Sequence, residues 1–301
     1  MANRWWIYQH ERFPVLTHGL LIAAFSFSAV SVSSLLRGRV ALPEARTLLV
    51  ACLTTFLFFL ELRIADEFKD FAEDARYRPY RPVPRGLVTL KELGRIGLAS
   101  LLIQLGLALW LDPALALLLL LTWAYLGLMS QEFFIPEWLK RRPVAYLWTH
   151  MLIMPLIVLY ATACDWLVAG GGAPAGLIWI LVASFFNGVV IEIGRKIRAP
   201  EDEERGVETY TFLWGRGNAV LAWLAAMLLA AVAALLAAHR IGLTAPLLGL
   251  LGALLIVAAI SAWSFLHHPM TRRAKLIEHM SGLWTLLTYL GLGATPLLWL
   301  F

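Results

Sequence analysis

Long apolar runs separated by short ionic stretches recur along the whole chain. They lie near Val15–Leu36, Leu48–Asp66, Ile96–Leu111, Ala114–Phe133, Tyr146–Val168, Leu177–Ile193, Ala219–Ala238, Leu247–Phe265 and Leu283–Phe301. Coiled as helices, such runs match roughly 30 Å of hydrocarbon, the third and sixth being short for it. Backbone polar groups find no water partner inside a bilayer, so a crossing segment must satisfy them internally as a helix. The pattern predicts an all-α integral membrane protein with nine transmembrane helices in a single domain over residues 1–301.

The ionic stretches set a topology. With the amino terminus cytoplasmic, twenty of the 25 Lys and Arg residues fall on that side, four (Arg37, Arg39, Arg46 and Arg240) on the other, and Arg63 within the second helix. This is the asymmetry of the positive-inside rule, with the carboxyl terminus outside. Composition agrees: 60% of residues are hydrophobic, 15% charged, and mean hydropathy is +0.73, too apolar for a soluble domain. The net charge of +5 is then mostly topology and calls for no nucleic-acid partner. Cys52 and Cys164, the two cysteines, indicate neither a disulfide framework nor a thiolate metal site. No cleavable signal pattern precedes the first run, and Trp5, Trp6 and Tyr8 suit a segment lying among lipid headgroups.

Candidate chemistry concentrates where the second apolar run ends, in Glu61–Gly86. Asp66, Asp70 and Asp74 stand at two successive four-residue steps, which on a helix is one face. Neighbouring carboxylates about 6 Å apart there cost on the order of 3 kcal/mol per pair at an effective dielectric near 20. Such a ridge either keeps protons or holds cations. Glu67, Lys69 and Glu73 fit a helix emerging into water. The loop that follows sets Arg76, Arg78, Arg81 and Arg85 among Pro79, Pro82 and Pro84, a stiff path bearing forked donors suited to phosphate oxygens. Cation-binding carboxylates beside such arginines, with Arg63 inside the helix, make a candidate diphosphate site.

A second charged cluster, Glu192–Gly215, closes the sixth apolar run on the same side. Glu192 and Lys196, then Arg198 and Asp202, are four apart, with Pro200 bending or ending the helix between the last two. Two charged helix ends, at 61–86 and 187–215, suggest two related halves converging on one cavity. Lys140, between the fourth and fifth runs, is a candidate phosphate contact or a plain cytoplasmic anchor. His150, just inside the fifth, could hydrogen-bond a substrate, but a structural partner is the expectation. The last three runs, with Trp263, Trp284 and Trp299, read as scaffold and lipid-facing wall.

With both clusters in view, the chain resembles the UbiA superfamily of intramembrane prenyltransferases over its full length. The first aspartate motif of that family is matched by Asp66, Asp70 and Asp74, and its Arg-Pro-x-x-x-Gly by Arg81, Pro82 and Gly86. In the second motif Asp202, Gly206 and Gly215 fit, whereas Arg198 stands where an aspartate is usual, and Pro136 replaces the tyrosine four before Lys140. The resemblance implies a nine-helix bundle around a central cavity. It also implies magnesium ions bridging the carboxylates to an isoprenyl diphosphate, whose allylic cation a lipophilic or aromatic acceptor captures. The residues it implicates as catalytic are Asp66, Asp70, Asp74 and Asp202. For Mg²⁺ they are these four with Glu192, and for diphosphate Arg63, Arg78, Arg81, Lys140, Lys196 and Arg198. Arg198, with Lys196, is expected to replace part of a second metal's charge by contacting diphosphate directly. Other readings stay open: a cyclase of the same superfamily that quenches the cation within its own chain, a cation transporter, and a structural protein with inactive motifs.

Overall fold

The computed structural model describes residues 3–295 and is helical throughout, with no strand among those residues. A short helix, α1 (Arg4–Arg12), precedes the long ones: α2 (Val15–Leu36), α3 (Ala45–Lys69), α4 (Phe71–Tyr77), α5 (Leu90–Leu111) and α6 (Leu115–Ser130). After these come α7 (Pro136–Lys140), α8 (Pro143–Met151), α9 (Ile153–Trp166), α10 (Leu177–Arg195), α11 (Tyr210–Arg240), α12 (Thr244–His267) and α13 (Thr271–Gly293).

Seven stretches are long and apolar enough to cross a bilayer: α2, α3, α5, the α8–α9 column, α10, α11 and α12. The sequence pattern predicts nine. Of the other two, α6 is apolar but has 16 residues, and α13 opens on Arg272, Arg273 and Lys275. The last helix also begins well before the predicted Leu283, at Thr271, and ends at Gly293, while residues 296–301 lie outside those described.

Neighbours in sequence pack as neighbours in space, and α2 packs on α13, which closes the row of helices into a ring. Local chemistry sets several boundaries. Thr89 and Glu92 form a capping box that starts α5, and the Thr209 hydroxyl accepts from the Phe212 N–H to start α11. Pro143 sits in the first turn of α8, where its missing N–H costs nothing. Close packing uses glycine. A methyl at Gly293 would lie 2.4 Å from Ser28 Cα on α2, and one at Gly194 would lie 2.0 Å from Ser281 Oγ on α13. Inside this apolar frame Trp284 is fully buried, its indole N–H donating to Asn187 Oδ1 over 3.1 Å. It belongs to the core, contrary to its expected place in a lipid-facing wall, whereas Trp263 is exposed as that wall requires.

Candidate active site

The ionic end of α3 is not one straight ridge. The helix bends at Asp70 (φ −88°, ψ 0°), and α4 begins one residue later, although Asp70 N–H still donates to Asp66 O and Asp74 N–H to Asp70 O. The bend turns Asp74 inward. Its side chain is 2% exposed and lies between two guanidiniums, with Arg78 Nη2 2.7 Å from Oδ1 and Arg81 Nη1 2.7 Å from Oδ2. Asp74 therefore pins the arginine–proline loop, whose Gly86 takes a left-handed φ of 77°. Asp66 is 41% exposed, and its nearest cation is Arg63 at 3.5 Å. The Asp70 carboxyl is raised above the usual carboxylate range by burial first, with Asp66 and Asp74 acting in the same direction against Lys69 and Arg78.

Two neighbours expected to face water do not. Glu67 is buried and ion-paired to Arg12 of α1. Lys69 Nζ donates to the Tyr146 hydroxyl over 2.7 Å, in α8. Glu73 does remain at the surface, 3.4 Å from Lys140, whose affinity for its proton it raises. Lys140 is thus half-exposed and paired at the periphery.

At the second cluster, α10 stops at Arg195, five residues before Pro200; the Arg198 N–H donates to the Thr211 hydroxyl over 3.1 Å, and Ala199 is extended ahead of the proline. Arg198 and Asp202 consequently do not share a helical face: Asp202 belongs to the 3₁₀ turn Pro200–Asp202. Its Oδ1 accepts from the Thr271 hydroxyl over 3.0 Å, and Glu201 accepts from the same hydroxyl and from the Thr271 N–H, tying this turn to the start of α13. Glu192 is buried between Arg195, whose Nε is 2.6 Å away, and Lys196 Nζ at 3.0 Å. Arg198 is half-buried, and among the described residues its guanidinium has no ion-pair partner.

The two clusters meet. Gly206 (φ 78°) lies so close to α4 that a methyl there would stand 2.7 Å from the Tyr77 ring, and the Tyr80 hydroxyl donates to Glu204 over 3.0 Å. Arg195 is near enough to Asp66 and to Tyr210 of α11 for their charges to interact, and Lys196 lies over the Tyr210 ring at 5.6 Å. Between the clusters stand Tyr146 and His150, stacked at 3.9 Å. Arg12 and Tyr146 carry no spacing signal, since each reaches the site from a separate element, whereas Arg195, three residues after Glu192, falls within the second charged cluster.

A preformed metal cage is not part of this arrangement. Among the described residues no three acids or histidines gather as a cation site. Of the five acids expected to hold a metal, Asp74, Glu192 and Asp202 already have partners, which leaves Asp66 and Asp70 for a cation. Two carboxylates still fit Mg²⁺, a cation that commonly takes one or two from the protein and completes its shell with water and substrate phosphate oxygens.

Sequence and fold comparisons can now be set beside this geometry. The model of the UbiA prenyltransferase family matches residues 22–282. The chain belongs to this family. It is an integral membrane transferase of prenyl groups. Its fold is similar to the apo structure of a UbiA homologue from Aeropyrum pernix K1, with TM-score 0.68 and 15% identity, over 93% of this chain and 98% of that one. It is also similar to a digeranylgeranylglyceryl phosphate synthase, with TM-score 0.62 and 15% identity, over 98% and 99%. No curated protein matches the sequence. At such low identity the likeness to these structures is one of fold.

Proposed function

We propose that the chain transfers an isoprenyl group from a diphosphate donor to a lipophilic acceptor within the membrane, with Mg²⁺ at the diphosphate. One observation carries this reading: Asp66 and Asp70, one helical turn apart at the end of a membrane helix, lie within electrostatic reach of Arg63, Arg78 and Arg195. Bound Mg²⁺ would neutralise charge building on the departing diphosphate. The chain's own residues do the rest. Asp66 and Asp70 hold the cation, while Arg63, Lys196 and the unpaired Arg198 attract diphosphate oxygens.

In this reading Asp74 is a positioning residue, holding Arg78 and Arg81 at the loop that borders the site. Glu192 likewise fixes Arg195 and Lys196, and Asp202 anchors its turn to α13. Lys140, paired with Glu73, draws the anion toward the site from its edge. The amino terminus is cytoplasmic, so the donor enters from that side, and the two charged helix ends belong to two related halves. The similarity to a digeranylgeranylglyceryl phosphate synthase supports a lipid acceptor.

The purified chain in lipid nanodiscs, given farnesyl or geranylgeranyl diphosphate, tests the reading through release of inorganic diphosphate. Release should require Mg²⁺, stop on chelation, and fall about 10²–10³-fold in Asp70→Asn. Release that ignores both chelation and Asp70→Asn overturns it.

A further inference from the structure

Any such reaction leaves one proton to be removed. When an acceptor hydroxyl or ring carbon bonds to the allylic cation it sheds a proton, and a cation that cyclises sheds one at termination. A proton acceptor must therefore face the reacting carbon without being committed to a cation. Glu192 is held by Arg195 and Lys196, Asp74 by Arg78 and Arg81, and Asp66 and Asp70 are the acids available to Mg²⁺.

His150 stands between the two clusters and is committed to no cation. It is 8% exposed, in α8, where that helix packs on α10. Its Nδ1 lies 2.9 Å from the Tyr146 carbonyl oxygen, which can only accept, so Nδ1 carries the proton. The Thr149 hydroxyl, 3.4 Å from Nδ1, already donates to the Ala145 carbonyl over 2.8 Å and imposes no other tautomer. Nε2 is then a bare lone pair. It is buried, and among the described residues it has no hydrogen-bond partner. Leaving such an atom unpaired is costly, and a bound substrate hydroxyl would satisfy it.

Lys69, Glu192 and Asp66 are the charged groups around the ring. Tyr146 stacks on one face at 3.9 Å, fixed by the Lys69 hydrogen bond, and Phe133 meets the ring edge-on at 6.3 Å. The ring is thereby held in orientation one helical turn from Tyr146, between the ends of α3 and α10.

Resting on the prenyl-transfer reading, we infer that His150 is the base that takes the acceptor's proton. The donor C1–O bond breaks and its electron pair leaves with diphosphate. The acceptor's nucleophilic atom forms the new bond to C1, its proton passes to Nε2, and the imidazolium returns that proton to water as product departs.

Ionisation and proton removal can be measured separately. Geranylgeranyl diphosphate carrying heavy oxygen at the bridging position reports ionisation by scrambling the label, without any acceptor. Product is measured with 4-hydroxybenzoate, with geranylgeranylglyceryl phosphate, and with water alone as nucleophile. His150→Gln can keep the bond to the Tyr146 carbonyl but supplies no base. It should scramble label within about twofold of the unaltered chain while product falls about 10²-fold, and imidazole should restore product in His150→Ala. Product undiminished in His150→Gln overturns the inference, as does scrambling lost in parallel with product, which marks a structural or donor-binding role. An unaltered chain that scrambles no label overturns the prenyl-transfer reading itself.

Discussion

Asp70 and Asp74 are one helical turn apart in sequence and opposite in circumstance. Asp74 is enclosed by two guanidiniums, so Asp74→Asn leaves Arg78 and Arg81 as poorly compensated charges at a half-buried site. Breaking a buried pair this way costs about 3–5 kcal/mol, and SDS unfolding in mixed micelles should register a loss of that order. Asp70 behaves the other way. Its folded-state carboxyl holds a proton to higher pH than the unfolded chain's does. The group therefore favours the fold at acid pH and withdraws that contribution as pH rises through the folded value. Metal-free Asp70→Asn should be more stable than the unaltered chain at neutral pH, with the difference closing below the usual carboxylate range, even as catalysis is lost. Thermal unfolding across pH in the presence of a chelator checks both signs. The spacing of Asp66, Asp70 and Asp74 was legible in the sequence, but the bend at Asp70 was not. Without that bend, three equivalent ligands are expected where the chain offers two and a clamp.

Among the elements, α1 shows best what local pattern conveys and what it leaves out. Its aromatic residues mark an interfacial segment, and Trp6 is indeed exposed. Nothing in them foretells that Arg4 pairs with Glu92 of α5, Glu11 with Arg85 and Arg12 with Glu67 of α3. These pairs strap α1 across the base of the bundle and pull Glu67 out of the water it was expected to face. The first two pairs are at least partly exposed and stabilise little. The Arg12–Glu67 pair is buried, with side chains 11% and 1% exposed, so Arg12→Ala strands a carboxylate beside Asp66. A loss of about 3–5 kcal/mol is expected. Adding Glu67→Gln to Arg12→Ala should recover much of it, because the stranded charge disappears; a double variant as unstable as Arg12→Ala would mean that α1 is held by packing alone. The α10 cluster illustrates the same limit. Pro200 announced a break, yet the helix stops five residues earlier, and that displacement separates Arg198 from Asp202.

For the molecule as a whole, hydrophobic run length was enough for the membrane class and most of the helices. Of the nine runs, those at α6 and α13 lie outside the seven clear spans, by helix length and by a charged opening respectively. The meeting of two distant clusters was also foreseeable, from charge on the same side, but its geometry depends on contacts such as Gly206 on Tyr77 that no spacing encodes. The acids of the two clusters are engaged differently, Asp202 by Thr271 and Asp66 by Arg63 alone, and this has a measurable consequence for donor binding. A non-ionising thiolodiphosphate analogue of geranylgeranyl diphosphate, with Mg²⁺ at one hundred times its dissociation constant, should stabilise the fold by about 2.7 kcal/mol. Asp66→Asn and Asp70→Asn should abolish the part of that gain that depends on Mg²⁺. Asp202→Asn, whose carboxylate is engaged by Thr271, should leave most of it. On the proposed direct contact of its guanidinium with the diphosphate, Arg198→Ala should weaken analogue binding with and without Mg²⁺ alike. If Arg198→Ala instead acts only when Mg²⁺ is present, the second cluster works through the metal after all, and Arg198 is not a substitute for a metal's charge.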